Sequence, residues 1–536
     1  MSDSIHDVIQ VGYGPVSQAL ALMLGRQGRD VAVIERWRSR YPLPRAVCLD
    51  HELNRVLTAN GMGETLGAIV VPGTHYEWFN ADWERLLDID WSADSLSGGP
   101  LVNFIHQPTL EEALDKAVAA QPSVSLHLGW EVVAVSQHAD HGCVELRDLE
   151  TGERKRLKGR YIVGCDGANS LIRACIGGER EDRGFEADWL VIDVALRDGV
   201  TIEALGIPPA GQYCNSVRPT TIVPAGVRDG RVFRRWEFMR LPGESAESLE
   251  AEARVWELLA PWVSAEQVEL VRFKLYNFRS LIAERWRDSR LLLAGDAAHV
   301  MPPFMGQGMC SGLRDAWNLA WKLALVLDGA AHEALLDTYQ AERHPHVSQL
   351  IDASIYLGKI ICITDPAEAA ARDQAFISGA APPPPPFPQL SGGLLRREGR
   401  VPAPGAGEYA PHVRVARNGA VGRLDDLVGL GFVLVTTDQD PGLVLDPDTR
   451  VALDRLGVRH APLGAAAGAV QDLDGRLASF LEAHGWGCML VRPDFYVYGG
   501  APVGGLVDLA KDFLADLAAA QTRPTDSVSP HVEVAA

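Results

Sequence analysis

A chain of 536 residues exceeds what one hydrophobic core supports, so two or three domains are expected. With 47% hydrophobic and 22% charged residues it reads as globular, and no run approaches the roughly 18 apolar residues of a membrane span. The 70 acidic against 50 basic side chains give a net charge of −20, which disfavours nucleic acid and anionic membrane as partners.

Along the chain, residues 7–35 read as strand, glycine-rich turn, helix and strand: 7–11 and 31–34 are the strands, and 17–27 carries apolar residues at helical spacing. A helix over 110–120 follows Gln107-Pro108. Residues 124–164 alternate like antiparallel strands and end in the buried run Tyr161-Ile-Val-Gly164. Residues 188–240 are strand-rich again, as in 190–196 and 231–238, and interrupt the nucleotide-type elements, which resume near 290. An inserted sheet is the natural reading. Helical patterns cover 309–328 and 332–358. The run Pro382-Pro-Pro-Pro-Pro386-Phe-Pro388 reads as an extended linker rather than a docking ligand. Beyond it, a strand near 432–437, a helix near 475–484, a strand over 488–497 and a helix over 505–519 form a small α/β unit. The tail after about 522 is rich in Pro and Ser and is expected to fray. The first residues carry no basic and apolar leader pattern, so a cytoplasmic location is expected. The eight cysteines are scattered, with no Cys-x-x-Cys and no metal-like cluster; they read as reduced thiols, and no metal is expected.

Three motifs follow predicted strands. Gly12-Tyr-Gly14-Pro15-Val-Ser17 opens a helix: Gly12 permits the tight turn, Gly14 lets a pyrophosphate approach the backbone, and the helix N-terminus favours the anion. Ser17 stands where the fingerprint has a third glycine. Glu35, followed by Arg36, ends the second strand, placed to meet ribose hydroxyls. The second motif is Asp166-Gly167-Ala-Asn-Ser170-x-x-Arg173, a polar turn that an ordinary helix cap at Ser170 or Asn169 would also explain. The third is the apolar run 291–294 ending in Gly295-Asp296, followed by Pro302-Pro303 and Gly306-Gln307-Gly308.

In this order, the three motifs resemble the class A flavoprotein aromatic hydroxylases. The resemblance continues through Pro44-Arg45-Ala46-Val47, Asp50-His51-Glu52 and Gln107-Pro108. Arg234-Arg-Trp-Glu-Phe-Met239, 311–322 and Val491-Arg-Pro-Asp494 are similar to the 3-(3-hydroxyphenyl)propionate hydroxylases within that family. It implies an α/β chain: a Rossmann-like FAD-binding domain (1–180 and 280–365), an inserted mixed or antiparallel substrate sheet (181–279), a proline-rich linker (366–399), a thioredoxin-like C-terminal domain without redox cysteines (400–520) and a tail (521–536). The segment Met301 to Met305 departs from the family pattern, which leaves the substrate open.

The resemblance also implies chemistry. FAD, NADH or NADPH, and O2 hydroxylate a phenolic ring through a C4a-hydroperoxyflavin, with ortho-hydroxylation of a hydroxyphenylpropionate-like compound expected. The competing readings are a tailoring hydroxylase of larger phenols or polyketides, a flavin halogenase (its Trp-x-Trp-x-Ile-Pro pattern does not occur) and a non-enzymatic FAD sensor. Gly12, Gly14, Pro15, Glu35, Arg36, Arg45, Gln107, Asp166, Gly167, Gly295 and Asp296 are the expected FAD contacts. Pro303, Gly306, Gly308 and Met309 are expected beside the ring. His51, His106 and Tyr213 are candidates for the group that deprotonates the phenol, although a lone His is more often structural. Arg218 and Pro302 are substrate candidates, although a sheet-face Arg is more often solvated or paired. Trp317 and Trp321, at i, i+4 spacing, read as core, and Glu250 to Arg254 as a solvated helix face. A homodimer using the C-terminal unit is a further expectation.

Overall fold

The computed structural model describes residues 4–40, 43–437 and 439–519; the tail over 521–536 lies outside them. Its first layer is a parallel sheet in the order Arg287–Asp288, Leu291–Leu293, Arg154–Gly164, Ile5–Val11, Val31–Glu35, Val124–Leu128. All but the first of these run parallel. Strands buried on both faces need continuous apolar runs, and Val8, Ile9, Val31–Ile34, Ile162, Val163 and Leu291–Leu293 are essentially inaccessible. The expectation of antiparallel pairing throughout 124–164 is corrected here: Val124–Leu128 pairs parallel to Val31–Glu35, and only Trp130–Gln137, Gly142–Asp148 and the start of Arg154–Gly164 form an antiparallel meander.

The helix Pro15–Gly25 packs on this sheet, and Gln307–Leu327 packs on that helix. A second, eight-stranded sheet runs His299–Val300, Val268–Ala283, Arg180–Leu196, Arg231–Met239, Thr220–Arg228, Gly211–Tyr213, His75–Phe79, Arg85–Asp90. It therefore extends beyond 181–279. The hairpin over 75–90 joins it through a parallel pairing with Gly211–Tyr213, a contact across more than 130 residues that local pattern does not reveal. On its outer face Leu190, Ile192, Val194, Trp236 and Phe238 pack with the helix Glu252–Leu259. Its inner face turns toward the parallel sheet, where Trp78 and Trp189 join the main core.

The linker is shorter than its composition implies. Residues Pro366–Ile377 are helical, capped by Asp365 accepting from Ala367 and Glu368 N–H, and the stretch without regular structure runs over 378–396. In the C-terminal unit, Val433–Thr436 pairs parallel to Arg459–Pro462 and antiparallel to Cys488–Val491, which pairs with Val497–Ala501. Residues 488–497 are thus two strands around a turn. The helices Pro447–Arg455, Arg476–Ala483 and Leu506–Ala519 complete a β-α-β-α-β-β-α order. Among the described residues, no single helix is long and apolar enough to cross a membrane.

Candidate active site

Register places the sequence motifs side by side. Val11 pairs with Ile34 on one side and Gly164 on the other, and Gly164 pairs with Leu293. Gly12, Glu35, Asp166 and Asp296 therefore emerge from the carboxyl ends of four adjacent parallel strands, within roughly 14 Å at the usual strand spacing. Open α/β sheets bind ligands at such an edge. Gly12 has φ +96°, and a Cβ there would collide with the Cys165 carbonyl. Gly14, at the N-cap of the Pro15 helix, faces open space and has no side-chain cap. Ser17, in the third glycine position, is buried against Gln10 at 2.6 Å, so the helix still sits tightly on the strand.

Each acid has a distinct setting. Glu35 accepts from Tyr13 N–H at 2.8 Å and Trp37 N–H at 2.9 Å, which fixes its carboxylate at the strand end. Arg36 points outward over the Trp37 ring and toward Glu131. Asp166 Oδ2 accepts from Leu171 N–H at 2.7 Å, while buried Oδ1 has no partner. Burial raises the pKa of Asp166 more than its hydrogen bonds lower it. Ser170 does cap the next helix, through Arg173 N–H at 3.0 Å, and the Arg173 guanidinium ties the second motif to the third through the carbonyls of Ala168 and Ala297. Asp296 is solvent-accessible, yet protein surrounds it closely enough for desolvation to raise its pKa. Arg45 and His299 lie close enough to it to offset part of that rise. Behind it, Asp315 accepts from Gly295 N–H at 3.1 Å and pairs with His299 and Arg343 at 2.6 and 2.9 Å, all buried. An orphan carboxylate oxygen, an uncapped helix N-terminus with clearance before it and an accessible carboxylate at a strand end are what an anionic, hydroxyl-bearing dinucleotide requires.

Two further segments carry sequence-predicted residues. Gln107 is buried and accepts from Arg45 and Ala46 N–H at 2.8 and 2.5 Å while donating to Glu111 at 2.6 Å, so its carbonyl braces the Arg45 loop. Arg235, from the second sheet, donates to the carbonyls of Arg45 and Pro44 at 2.6 and 3.1 Å and to Asp193 at 2.7 Å; Arg272 donates to the same Asp193 at 3.0 Å. The other segment is the turn Pro303–Met305. Phe304 packs edge-on against Phe185 and Trp189, each at 5.6 Å. Pro302 accepts from Ser354 at 2.7 Å, Met301 is buried, and Gly306 (φ +64°) starts the long helix where a Cβ would lie 2.5 Å from Cys48 Sγ. Gly308 and Met309 lie in the uncapped first turn of that helix.

The FAD binding domain family matches residues 6–354, and the HcaD C-terminal domain family matches 407–516. The chain belongs to the FAD-dependent aromatic hydroxylases. Among curated relatives, a probable NADH-specific resorcinol 4-hydroxylase of Rhodococcus jostii (strain RHA1) is 38% identical over 532 residues, 97% of this chain and 96% of the relative. The 3-(3-hydroxy-phenyl)propionate/3-hydroxycinnamic acid hydroxylase of Escherichia coli (strain K12) is 32% identical, covering 91% and 90%. Among solved structures, the flavin-dependent monooxygenase PieE has a TM-score of 0.76 at 22% identity, over 97% of this chain and all of that one. Aklavinone-11 hydroxylase has 0.76 at 24%, over 96% and all. This hydroxylase uses FAD, NAD(P)H and O2, as its family does.

The structure does not bring the hydroxylase's three deprotonation candidates together. His51 bonds to Ser97 at 3.0 Å and packs edge-on against Tyr409 of the C-terminal unit. His106 bonds to Thr109 and stacks on Phe233; burial, with Arg228 nearby, lowers its pKa to about 4. It lines an outer groove of about 760 Å³ with Pro44, Arg228 and Glu269. Tyr213 donates to Ala81 O at 3.1 Å and packs on Trp83 and Trp262. Arg218 is bound to Glu244 at 2.5 Å and to Met239 O, the paired fate expected of a sheet-face Arg. Sequence reasoning missed Asp193, Arg235, Glu237, Arg272 and Asp315. Arg235 and Glu237 share one face of an alternating strand, which was the available signal.

Proposed function

We propose that this hydroxylase oxidises a small phenol without a carboxylate, such as resorcinol, at a carbon ortho or para to an existing hydroxyl, with NADH as donor. The observation that carries this is the charge on the inner face of the second sheet. Arg235 and Arg272 both pair with Asp193, and Glu237 lies 3.7 Å from Arg235, so two guanidinium groups face two carboxylates; Arg218 lies outside, on Glu244. A carboxylated substrate would need a cation that these pairs do not leave available. The higher identity to the resorcinol relative points the same way. The second reading, ortho-hydroxylation of 3-(3-hydroxyphenyl)propionate, draws on the other relative.

Bound FAD supplies hydride acceptance and oxygen activation. The chain's own residues position it: the Gly12–Gly14 turn and helix N-terminus take the pyrophosphate, Glu35 an adenosine ribose, and Asp166 and Asp296 the hydroxyl-bearing linker. Arg45 and the 302–309 turn would border the ring and exclude water, and the uncapped N–H groups near Met309 would stabilise negative charge on the reduced cofactor. In the net reaction an aromatic C–H becomes C–OH. One O2 oxygen enters the ring, the other leaves as water, and NADH plus a proton become NAD+. A panel of phenols assayed for stimulated NADH oxidation, with product identification, tests the reading. Resorcinol is expected to stimulate and to yield a trihydroxybenzene. Stimulation by the propionate but not by resorcinol would establish the second reading instead, and oxidation without any hydroxylated product would sink both.

A further inference from the structure

The strand Arg231–Met239 sends alternate side chains to opposite faces. Trp236 and Phe238 join the outer cluster, while Arg235 reaches inward to the Pro44–Arg45 carbonyls. Glu237 shares the inward face with Arg235. It lies directly between Val191 and Thr221 on the flanking strands. Thr221 donates to Gln212 at 2.6 Å, and Gln212 donates to Tyr76 Oη at 2.8 Å, so a polar row crosses a face otherwise walled by Trp78 and Trp189. Cys48, which opens the short strand Cys48–Asp50 after the Arg45 loop, lies close enough to feel the charges of both Arg235 and Glu237.

Glu237 is only 8% exposed, and among the described residues no hydrogen-bond donor meets it, although its oxygens are not among the fully sealed polar atoms. Its nearest cation is Arg235 Nη1 at 3.7 Å, and that nitrogen already donates to Arg45 O. A buried carboxylate is normally satisfied by several donors. One left without them, on the wall facing the Arg45 loop, is placed for a donor that arrives with a ligand.

We propose that Glu237 accepts the hydrogen bond of the substrate's phenolic hydroxyl and takes its proton as the ring attacks oxygen. This inference rests on the phenol-hydroxylase reading above. The phenol O–H bond breaks, its proton passes to a Glu237 oxygen, and the electron pair stays on the phenol oxygen and feeds the ortho and para carbons. The proton returns to that oxygen as the substituted carbon releases its own hydrogen as a proton to the oxygen atom that leaves as water, so Glu237 ends as it began. Burial raises the Glu237 pKa beyond what Arg235 lowers it, with Asp193 adding to the rise. That narrows the gap to a phenol of pKa about 10, which favours general-base transfer.

The test uses full-length, FAD-loaded enzyme with Glu237→Gln and Glu237→Asp. For Glu237→Gln, kcat on resorcinol is expected to fall at least about 100-fold, in the usual range for loss of a general base. Flavin content should hold, and the melting temperature should stay level or rise, because a desolvated carboxylate has been removed. Residual activity should climb about tenfold per pH unit as the phenol ionises unaided, without the wild-type acid limb. Glu237→Asp should restore that limb and part of the rate. A Glu237→Gln enzyme within about threefold of wild type, with the same pH profile, overturns the proposal. So does a rate loss accompanied by lost flavin and a lower melting temperature that Glu237→Asp does not repair. If the wild type oxidises no phenol, the hydroxylase reading fails on its own. Resorcinol titration of the flavin absorbance then decides Glu237: weaker binding in Glu237→Gln supports the acceptor role, and equal Kd values overturn it.

Discussion

Gly12 and Gly14 stand two residues apart and respond differently to an added methyl. At Gly12 the φ of +96° and the Cys165 carbonyl leave no room. Gly12→Ala should cost about 1–3 kcal/mol from backbone strain alone and lose bound flavin. At Gly14 the φ is −77° and the space is open. Gly14→Ala should keep folded stability within about 0.5 kcal/mol yet weaken FAD by at least about tenfold, or about 1.4 kcal/mol, because the methyl occupies the anion's approach. Thermal melting and flavin content of the two variants check this; wild-type flavin in Gly14→Ala would remove the cradle reading. The glycines and strand-end acids were legible in sequence because each is defined by its own strand and turn. Glu237, Arg235 and Asp193 were not, because their meaning lies in contacts between separate strands and loops that the chain brings together only on folding. His51, His106 and Tyr213 were chosen by residue type, and the folded chain turns each toward another partner.

At the scale of elements, the helix Gln307–Leu327 is buried along nearly its whole length, including its charged residues. Arg314 pairs with Asp50 and Glu52, each at 2.6 Å; Asp315 holds Gly295, His299 and Arg343; Asn318 and Trp321 donate to Asp494; Lys322 meets Glu342. The helical period was readable over 309–328, but that polar residues would lie on every side of it was not. Trp317 and Trp321 are core residues as expected, of a core shared with the C-terminal unit through Phe495 and Phe432. Asp315→Asn leaves Arg343 buried without its carboxylate and should cost about 3–5 kcal/mol. Urea unfolding measures the loss. Flavin content should fall with it, since the Gly295 turn loses its anchor; unchanged stability and flavin would contradict this account.

Across the whole molecule, the Val491-Arg-Pro-Asp494 motif is a docking device. Arg492 pairs with Glu342 and Asp494, both at 2.6 Å, and donates to Leu394 O. Arg55 of the FAD domain pairs with Asp425 at 2.7 Å and stacks over Phe495. Burial alone would raise the Glu342 pKa, but Arg492 and Lys322 outweigh it and hold the carboxyl at about 2. The folded value lies below the unfolded one of about 4.3. The stabilisation is therefore complete above that pH and lost as pH falls toward 2. Fluorescence of the interface tryptophans should change over that window; a flat signal from pH 5 to 2.5 would count against the docking role. Asp425, likewise held low by Arg55 against the rise from burial, adds to the same acid limb. At neutral pH, Arg492→Met should destabilise the enzyme by about 3–5 kcal/mol, as expected when a buried carboxylate loses its main partner. The α/β units were legible at this scale from periodicity and turn residues. Their mutual docking was not, because it depends on side chains from separate domains.

The hold of Arg235 on the Pro44 and Arg45 carbonyls has a consequence for exchange between relatives. The second sheet is not a cassette. A sheet transplanted from another hydroxylase would reach this chain's FAD loop only if it brought its own guanidinium at position 235 and an acid at 193 to aim it. Chimaeras that keep 44–48 and 180–283 from one parent should hold flavin and couple NADH oxidation to product. Those that split the two between parents should release peroxide instead.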